Sequence, residues 1–501
     1  IHPTIYFYGE VNSYMRKLSY AVATLNSTLW KFLEQLLRKG FAIFVTLILA
    51  WYLVPEDFGL VAIIAIFIEI SYVLVTGGFV DAIIRKRYVT QYDLDTIFFT
   101  NILLSLLIYF ALFISASFIA KTFNQPSLEN LIQLAGLAIL FQAFAVVPTA
   151  LLRKRMLFKQ QLKVALPSSV IAGLVALTMA FFEYGVLALV FQMLVAPLVA
   201  SVLYWRMNLW RTRYQFSFKA LKKLMGFSGF LLAHEIIRVI FINLFVLVIA
   251  KFYPIALLGS YYFADRIKRL VVGQVTSAVQ EVTYSVFSKI ENDKLRLKLG
   301  YGKVLAMVSY IIFPILIFSA MLSPLIFTVI LPEKWFESAK LLQLMLLTSL
   351  IYPFTLLSEN IFKSLGRAKL VFSLGIFARV VIVCTLFITL PHGIEIMILG
   401  QAIAATLVFL VHTFYLSKHI NYGLWSFIKE ISPNLLLAIL VSLPIYAFIL
   451  ITELNDMLVL IMAAIVASLS YLTLSYLLKF KSVKLVKELI TARKQTRRET
   501  T

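Results

Sequence analysis

The sequence predicts an all-α polytopic membrane protein of about 14 transmembrane helices, and three observations carry that reading. Apolar blocks of about 20 residues recur along the chain, each long enough to cross about 30 Å of hydrocarbon as a helix. Apolar residues make up 61% of the 501 and charged residues only 14%, far from the balance of a soluble domain. Basic residues gather in every second gap between the blocks, as the positive-inside rule demands of a multi-pass protein. The blocks are continuous rather than alternating, which excludes a transmembrane barrel.

In chain order the predicted helices lie near 29–51, 59–84, 96–120, 128–150, 164–182, 186–205, 224–250, 256–288, 304–331, 341–362, 370–390, 396–417, 431–451 and 457–478. Turn signals separate them: Pro55-Glu56-Asp57, Asn124-Gln125-Pro126, Leu331-Pro332-Glu333 and Pro391-His392-Gly393. One alternating set of gaps carries about 24 basic residues against about five acidic ones. It includes Arg85-Lys86-Arg87, Arg153-Lys154-Arg155 and the run from Arg206 to Lys223. The other set holds Lys121, Lys251, Lys334 and Lys340 among acids such as Glu56, Asp57, Glu183, Glu453 and Asp456. The basic set is assigned to the cytoplasm, so both termini face inward, as an even helix count requires.

The net charge of +22 therefore belongs to the membrane surface rather than to nucleic acid. The basic tail from Lys479 to Arg498 follows a span directly, where anionic headgroups attract it. Cys384 stands alone inside an apolar block, which rules out a disulfide framework. No cleavable signal peptide is expected, the first helix serving for insertion. Met15-Arg16-Lys17 reads as a natural start, which would make residues 1–14 an upstream extension.

Sliding the chain by 200 residues aligns Arg38 with Arg238, Phe41 with Phe241, Leu47 with Leu247, Ala50 with Ala250 and Gly59 with Gly259. This equates the first helix with the seventh and divides the first twelve into two parallel lobes of six, the arrangement of alternating-access transporters. The expected domains are a cytoplasmic segment 1–28, an N-lobe 29–205, a basic linker 206–223 and a C-lobe 224–417. Two further helices, 418–478, and a basic tail, 479–501, complete the chain.

The stretch from Leu49 to Ala62 (LAWYLVPEDFGLVA) resembles the first helix hairpin of polysaccharide exporters, and Gly77-Gly78-Phe79-Val80-Asp81-Ala82-Ile83-Ile84 resembles their "GF..ALI" pattern. These are the Wzx-type and colanic-acid-exporter-type flippases of the multidrug/oligosaccharidyl-lipid/polysaccharide superfamily, which is MATE-like in fold. The resemblance implies two six-helix lobes around a central cavity and undecaprenyl-diphosphate-linked oligosaccharide as cargo, a precursor of exopolysaccharide, capsule or O-antigen. It also implies a bacterial plasma membrane location and brings a polysaccharide polymerase and chain-length proteins into view as partners.

Charged side chains within spans are costly and face a cavity or a partner. The ionisable groups inside the spans include Lys31, Glu34 and Arg38 in the first helix, Arg238 in the seventh, Arg266 and Arg269 in the eighth and Arg379 in the eleventh. Arg266 and Arg379 fall near the midplane, whereas Arg38 and Arg238 lie in the inner third, where a long side chain can snorkel. Guanidinium grips phosphate oxygens in pairs and keeps its charge when desolvated, so Arg379, Arg266, Arg269, Arg38 and Arg238 form a candidate diphosphate site. The competing reading is structural pairing: Glu34 with Arg38, Glu235 with Arg238, and Asp265 with Lys268 and Arg269. Glu69, Glu281 and Glu359 are candidates for coupling to a proton or sodium ion.

Other functions fit less well. A polyprenyl-dependent polymerase would place its chemistry in a long external loop, and the external gaps here are short. Asp93-Leu94-Asp95 has the form of a metal–sugar-nucleotide site, yet it opens a helix, where acids oppose the dipole. The five histidines show no ligand spacing, no Gly-rich phosphate loop exists, and no cofactor or metal is expected. A multidrug cation antiporter should concentrate acids where this chain concentrates arginine. A lipid II flippase would also use arginines and 14 helices, and that alternative stays open.

Overall fold

A computed structural model describes residue 37 and residues 40–76, 78–288 and 290–485. Their regular structure is helical. The helices are α1 (Gly40–Tyr52), α2 (Pro55–Thr76), α3 (Phe79–Arg85), α4 (Gln91–Thr122), α5 (Leu128–Lys154), α6 (Phe158–Phe181), α7 (Val186–Arg206), α8 (Phe218–Ile242) and α9 (Leu244–Phe252). They continue with α10 (Ile255–Phe287), α11 (Lys294–Ile330), α12 (Phe336–Thr348), α13 (Tyr352–Ser364), α14 (Ala368–Thr389), α15 (Ile394–Ile420), α16 (Leu424–Ile451) and α17 (Asp456–Leu477).

Among the described residues, 11 helical stretches are long and apolar enough to cross a membrane, or 12 if the bent pair α8–α9 is one span. The protein is a multi-pass α-helical membrane protein. Two of the predicted spans fall outside that count for separate reasons. Apart from residue 37, the described part of the first is Gly40–Tyr52, which is short. The eighth is the 33-residue α10, helical throughout but carrying Asp265, Arg266, Lys268 and Arg269 in its first half.

Two predicted helices are broken. The span expected at 341–362 stops at Thr348 and resumes at Tyr352, with Pro353 in the new first turn. Proline has no N–H to carry a helix ladder through from the preceding turn, but it is tolerated in a helix's first turn, which fits a restart at Tyr352. The span expected at 224–250 bends by 48° at Asn243. There the Asn243 side chain donates to the carbonyl of Val239 at 3.0 Å and intrudes on the helix ladder.

Helix ends follow local chemistry. Pro55 opens α2, and the Asp57 carboxylate accepts from the Val54 N–H at 3.1 Å. Asn124, at φ 54°, turns the chain between α4 and α5 as the Asn-Gln-Pro signal predicts. Gly393, at φ 98°, separates the short turn Leu390–His392 from α15.

By packing, the chain forms two compact units that meet in sequence between Gly259 and Ser260. In the first, α4, α5 and α7 pack side by side, α6 covers α7, and α2 runs among them. Its core includes Phe58, Ile63, Ile64, Val147 and Ala150, all fully buried. Helix α8 packs on α2, α3 and α4, so the 206–223 linker expected to divide the lobes lies inside this unit. In the second unit α11 is the spine, against which α12, α16 and α17 lie, and α15 joins α12, α13 and α14. Asn434 of α16 ties that spine by donating to Ser309 Oγ at 2.7 Å and to the Ala306 carbonyl at 3.1 Å. Such polar contacts act as glue where apolar surfaces alone have little reason to associate.

The 200-residue repeat has a structural counterpart within the first unit. A Cβ on Gly59 would overlap the carbonyl oxygen of Ile255, and one on Gly259 would overlap that of Pro55. Pro55 and Ile255 are themselves 200 apart, so the two glycines make the same contact reciprocally. Only glycine lets the first turns of α2 and α10 approach backbone to backbone.

Candidate functional site: intramembrane charges and a bent helix

In the first unit, the described candidate ionisable groups lie along α8 and on α2. Arg238 Nε donates to Glu235 Oε2 at 2.5 Å, both side chains being about two-fifths exposed. His234 Nδ1 stands 3.8 Å from the other Glu235 oxygen. One turn beyond Arg238 the helix bends, and the buried Asn243 amide reaches across to α2, donating to Glu69 Oε2 at 3.1 Å. Glu69 thus has a fixed neighbour at a helix break. Sequence reading missed Asn243; its signal was a lone carboxamide in an otherwise apolar run, Phe241 to Ala250.

In the second unit, Asp265 of α10 is the anchor. It is 4% exposed, and its two oxygens accept from Lys268 Nζ at 2.6 Å and Arg269 Nε at 2.5 Å. Arg266, on the next position, is partly buried and makes no ion pair or hydrogen bond among the described residues. Tyr261, one turn back and buried, accepts from Gln401 of α15 at 3.3 Å, which holds this part of α10 in place. Glu359 pairs with Lys363 at 3.0 Å on α13, and its neighbour Asn360 donates to Thr283 of α10 at 2.8 Å. Arg379 is partly buried on α14 and shares a helix stripe with Phe372 and Ile376, which are 68% and 45% exposed.

The structure therefore places Arg238 with Glu235, Arg269 with Asp265 and Glu359 with Lys363, each on its own helix. Arg266, Arg269 and Arg379 belong to the second unit, on two different helices. Arg38 and the side chain of Glu281 lie outside the described residues.

The Asp-Leu-Asp motif is taken up in folding. Thr90 and Asp93 form a capping box at the start of α4, and Asp93 also binds Lys86 at 2.5 Å. Asp95, fully buried, accepts from Gln91 Nε2 at 2.8 Å and from the backbone N–H groups of Arg213 and Gln215 at 2.9 and 3.2 Å. It clips the basic linker to the head of α4.

The sequence profile of the family described as "Polysaccharide biosynthesis protein" matches residues 48–340, more than half the chain. The chain belongs to that family. The lipopolysaccharide biosynthesis protein WzxC of Escherichia coli is 24% identical over 399 residues, covering 77% of this chain and 78% of WzxC. The succinoglycan biosynthesis transport protein ExoT of Rhizobium meliloti is 24% identical over 267 residues, 53% of this chain and 54% of ExoT. Among solved structures, the lipid II flippase MurJ in an inward closed conformation aligns with TM-score 0.71 at 15% identity, covering 92% of this chain and 98% of MurJ. That likeness is one of fold. The family match begins within α1 and ends in α12, so it includes Glu69, Arg238, Arg266 and Arg269 and leaves Glu359 and Arg379 beyond it.

Proposed function

We propose that this protein is a flippase that carries undecaprenyl-diphosphate-linked oligosaccharide repeat units across the bacterial plasma membrane by alternating access. It is a transporter rather than an enzyme. Membership of the polysaccharide biosynthesis family over residues 48–340 carries the reading. The intramembrane chemistry agrees with it. Arg266 presents a guanidinium with no counter-charge among the described residues, and a permanently charged group held partly buried on α10 is suited to a phosphate oxyanion. Arg269, oriented by Asp265, stands beside it, and Arg38, Arg238 and Arg379 are further candidates for contact with the diphosphate. Glu69, held by Asn243 at the bend, is the leading candidate for ion coupling, ahead of Glu281 and Glu359. Both termini face the cytoplasm, on the distribution of basic gaps.

The test is the sidedness of the lipid-linked oligosaccharide in a deletion strain, read in inverted and right-side-out vesicles. Cytoplasmic build-up, relieved by wild type but not by Arg266→Ala, supports the proposal. Single repeat units accumulating on the outer face would mean that translocation survives, and would move the assignment to a polymerase. Accumulation of lipid II instead would point to the peptidoglycan precursor, and cation-driven drug efflux without either would make the protein an antiporter.

A further inference from the structure

A second feature lies apart from the intramembrane charges. At the ends of α5 and α7 and the start of α4, a hollow of about 630 Å³ is bounded by the linker that follows α7. Lys154, Arg155, Arg211 and Arg213 line it, and no acidic residue does. Neither Arg155 nor Arg213 has a side-chain ion pair or hydrogen bond among the described residues, and no carboxylate there meets Arg211. Lys154 is turned the other way, donating to the carbonyls of Ile83 and Lys86 at the end of α3. The nearest anions are already engaged: Asp93 with Lys86, and Asp95 with Gln91 and the linker backbone.

The hollow is built rather than incidental. Asn208 and Tyr214 take left-handed turns, at φ 51° and 59°, that fold the linker back. Asp95 accepts from the N–H groups of Arg213 and Gln215, Thr96 Oγ1 accepts from Ser217 N at 3.0 Å, and Gln91 Nε2 donates to the Arg211 carbonyl at 2.8 Å. Asn208 Oδ1 accepts from Arg211 Nε at 2.6 Å, which orients that guanidinium and leaves its terminal nitrogens without a partner among the described residues. Trp210 lines the wall, packed between Phe98 and Trp205 at 5.3 and 6.0 Å, and its buried indole N–H also has no partner there. Uncompensated guanidiniums on a fixed loop bind oxyanions without first having to be ordered. Paired tryptophans mark the level of lipid headgroups.

We infer that this hollow is a phosphate-binding site at the membrane surface, gripping a phosphate group with Arg155, Arg211 and Arg213. Its occupant is a phosphate oxyanion, presented either by an anionic phospholipid headgroup or by a soluble phosphate compound. The site stands independently of the cargo reading above. Holding a headgroup there would fasten the linker, and with it α7 and α8, to the leaflet.

The test uses the full-length protein in nanodiscs of neutral phosphatidylcholine, with and without added phosphatidylglycerol. Inorganic diphosphate is titrated in, tryptophan fluorescence reports binding, and native mass spectrometry counts retained phosphatidylglycerol. Arg211→Gln with Arg213→Gln should weaken whichever ligand binds by about tenfold or more, as should Arg155→Gln, an exposed change that leaves the linker contacts intact. Lys298→Gln with Lys303→Gln, which removes the same charge from the second unit, should change binding less than about twofold. Retained phosphatidylglycerol with no response to diphosphate identifies the lipid headgroup; saturation by diphosphate in neutral discs identifies a soluble source. Equal losses in hollow and control variants, or none in either, would overturn the site, because unspecific surface charge would then account for all binding. Unchanged melting of the Arg155 variant in neutral discs separates lost binding from lost fold.

Discussion

At the residue scale, the charges within the spans divide into those that hold the fold and those left for a ligand. Asp265 is almost wholly buried between Lys268 and Arg269, so Asp265→Ala would strand two cations and should destabilise the protein by about 3–5 kcal/mol. A melting point in detergent well below wild type is the expected outcome. Arg266, one residue on, should behave in the opposite way. Arg266→Ala should leave melting within about 1 °C and cut translocation by roughly tenfold to a hundredfold, the worth of one charge-assisted phosphate contact. Arg266→Lys should recover only part of that, since an ammonium cannot grip two oxygens at once. Asp95→Ala removes the acceptor for two backbone N–H groups, and a loss of about 1–3 kcal/mol with faster proteolysis of the 208–217 linker should follow.

At the element scale, the bend between α8 and α9 is the place where a membrane helix gives up its regular ladder. Asn243 makes it by donating both to Val239 within the helix and to Glu69 on α2. Asn243→Leu should favour a straighter helix and free Glu69 of its neighbour. If Glu69 couples an ion to transport, this variant should shift the pH or sodium dependence of translocation while lipid-linked substrate still binds; an unaltered profile would remove Glu69 from that role. The reciprocal glycines act at the same scale. Gly259→Leu should force the starts of α2 and α10 apart, because even a Cβ there would meet the Pro55 carbonyl. A melting point in detergent well below that of wild type, already lowered in Gly259→Ala, would report the clash.

At the scale of the whole molecule, the reading makes a topological prediction. With Cys384 replaced, single cysteines at Thr212 and Lys298 should react with a membrane-impermeant thiol reagent only from the cytoplasmic side, and one at Glu337 only from outside. Labelling of all three from one side would break the alternation of basic gaps on which the orientation rests.

Much of this protein was legible before any coordinates, because hydropathy and charge act locally along the chain. A run such as Val186–Arg206 is apolar whatever it later touches, and a basic gap stays on its side of the bilayer for the same electrostatic reason. Sequence by itself therefore determined the membrane-spanning architecture and the family, and it read the Asp-Leu-Asp motif as acids opposing a helix dipole rather than as a catalytic site. What only the tertiary structure decided was partnership. Glu69 meets Asn243, Asp95 meets the backbone of Arg213, and three arginines with no acidic partner, Arg155, Arg211 and Arg213, line one hollow across residues far apart in the chain. Hydrogen bonds are short and directional, so which donor reaches which acceptor depends on how the helices pack, and linear spacing carries no record of it.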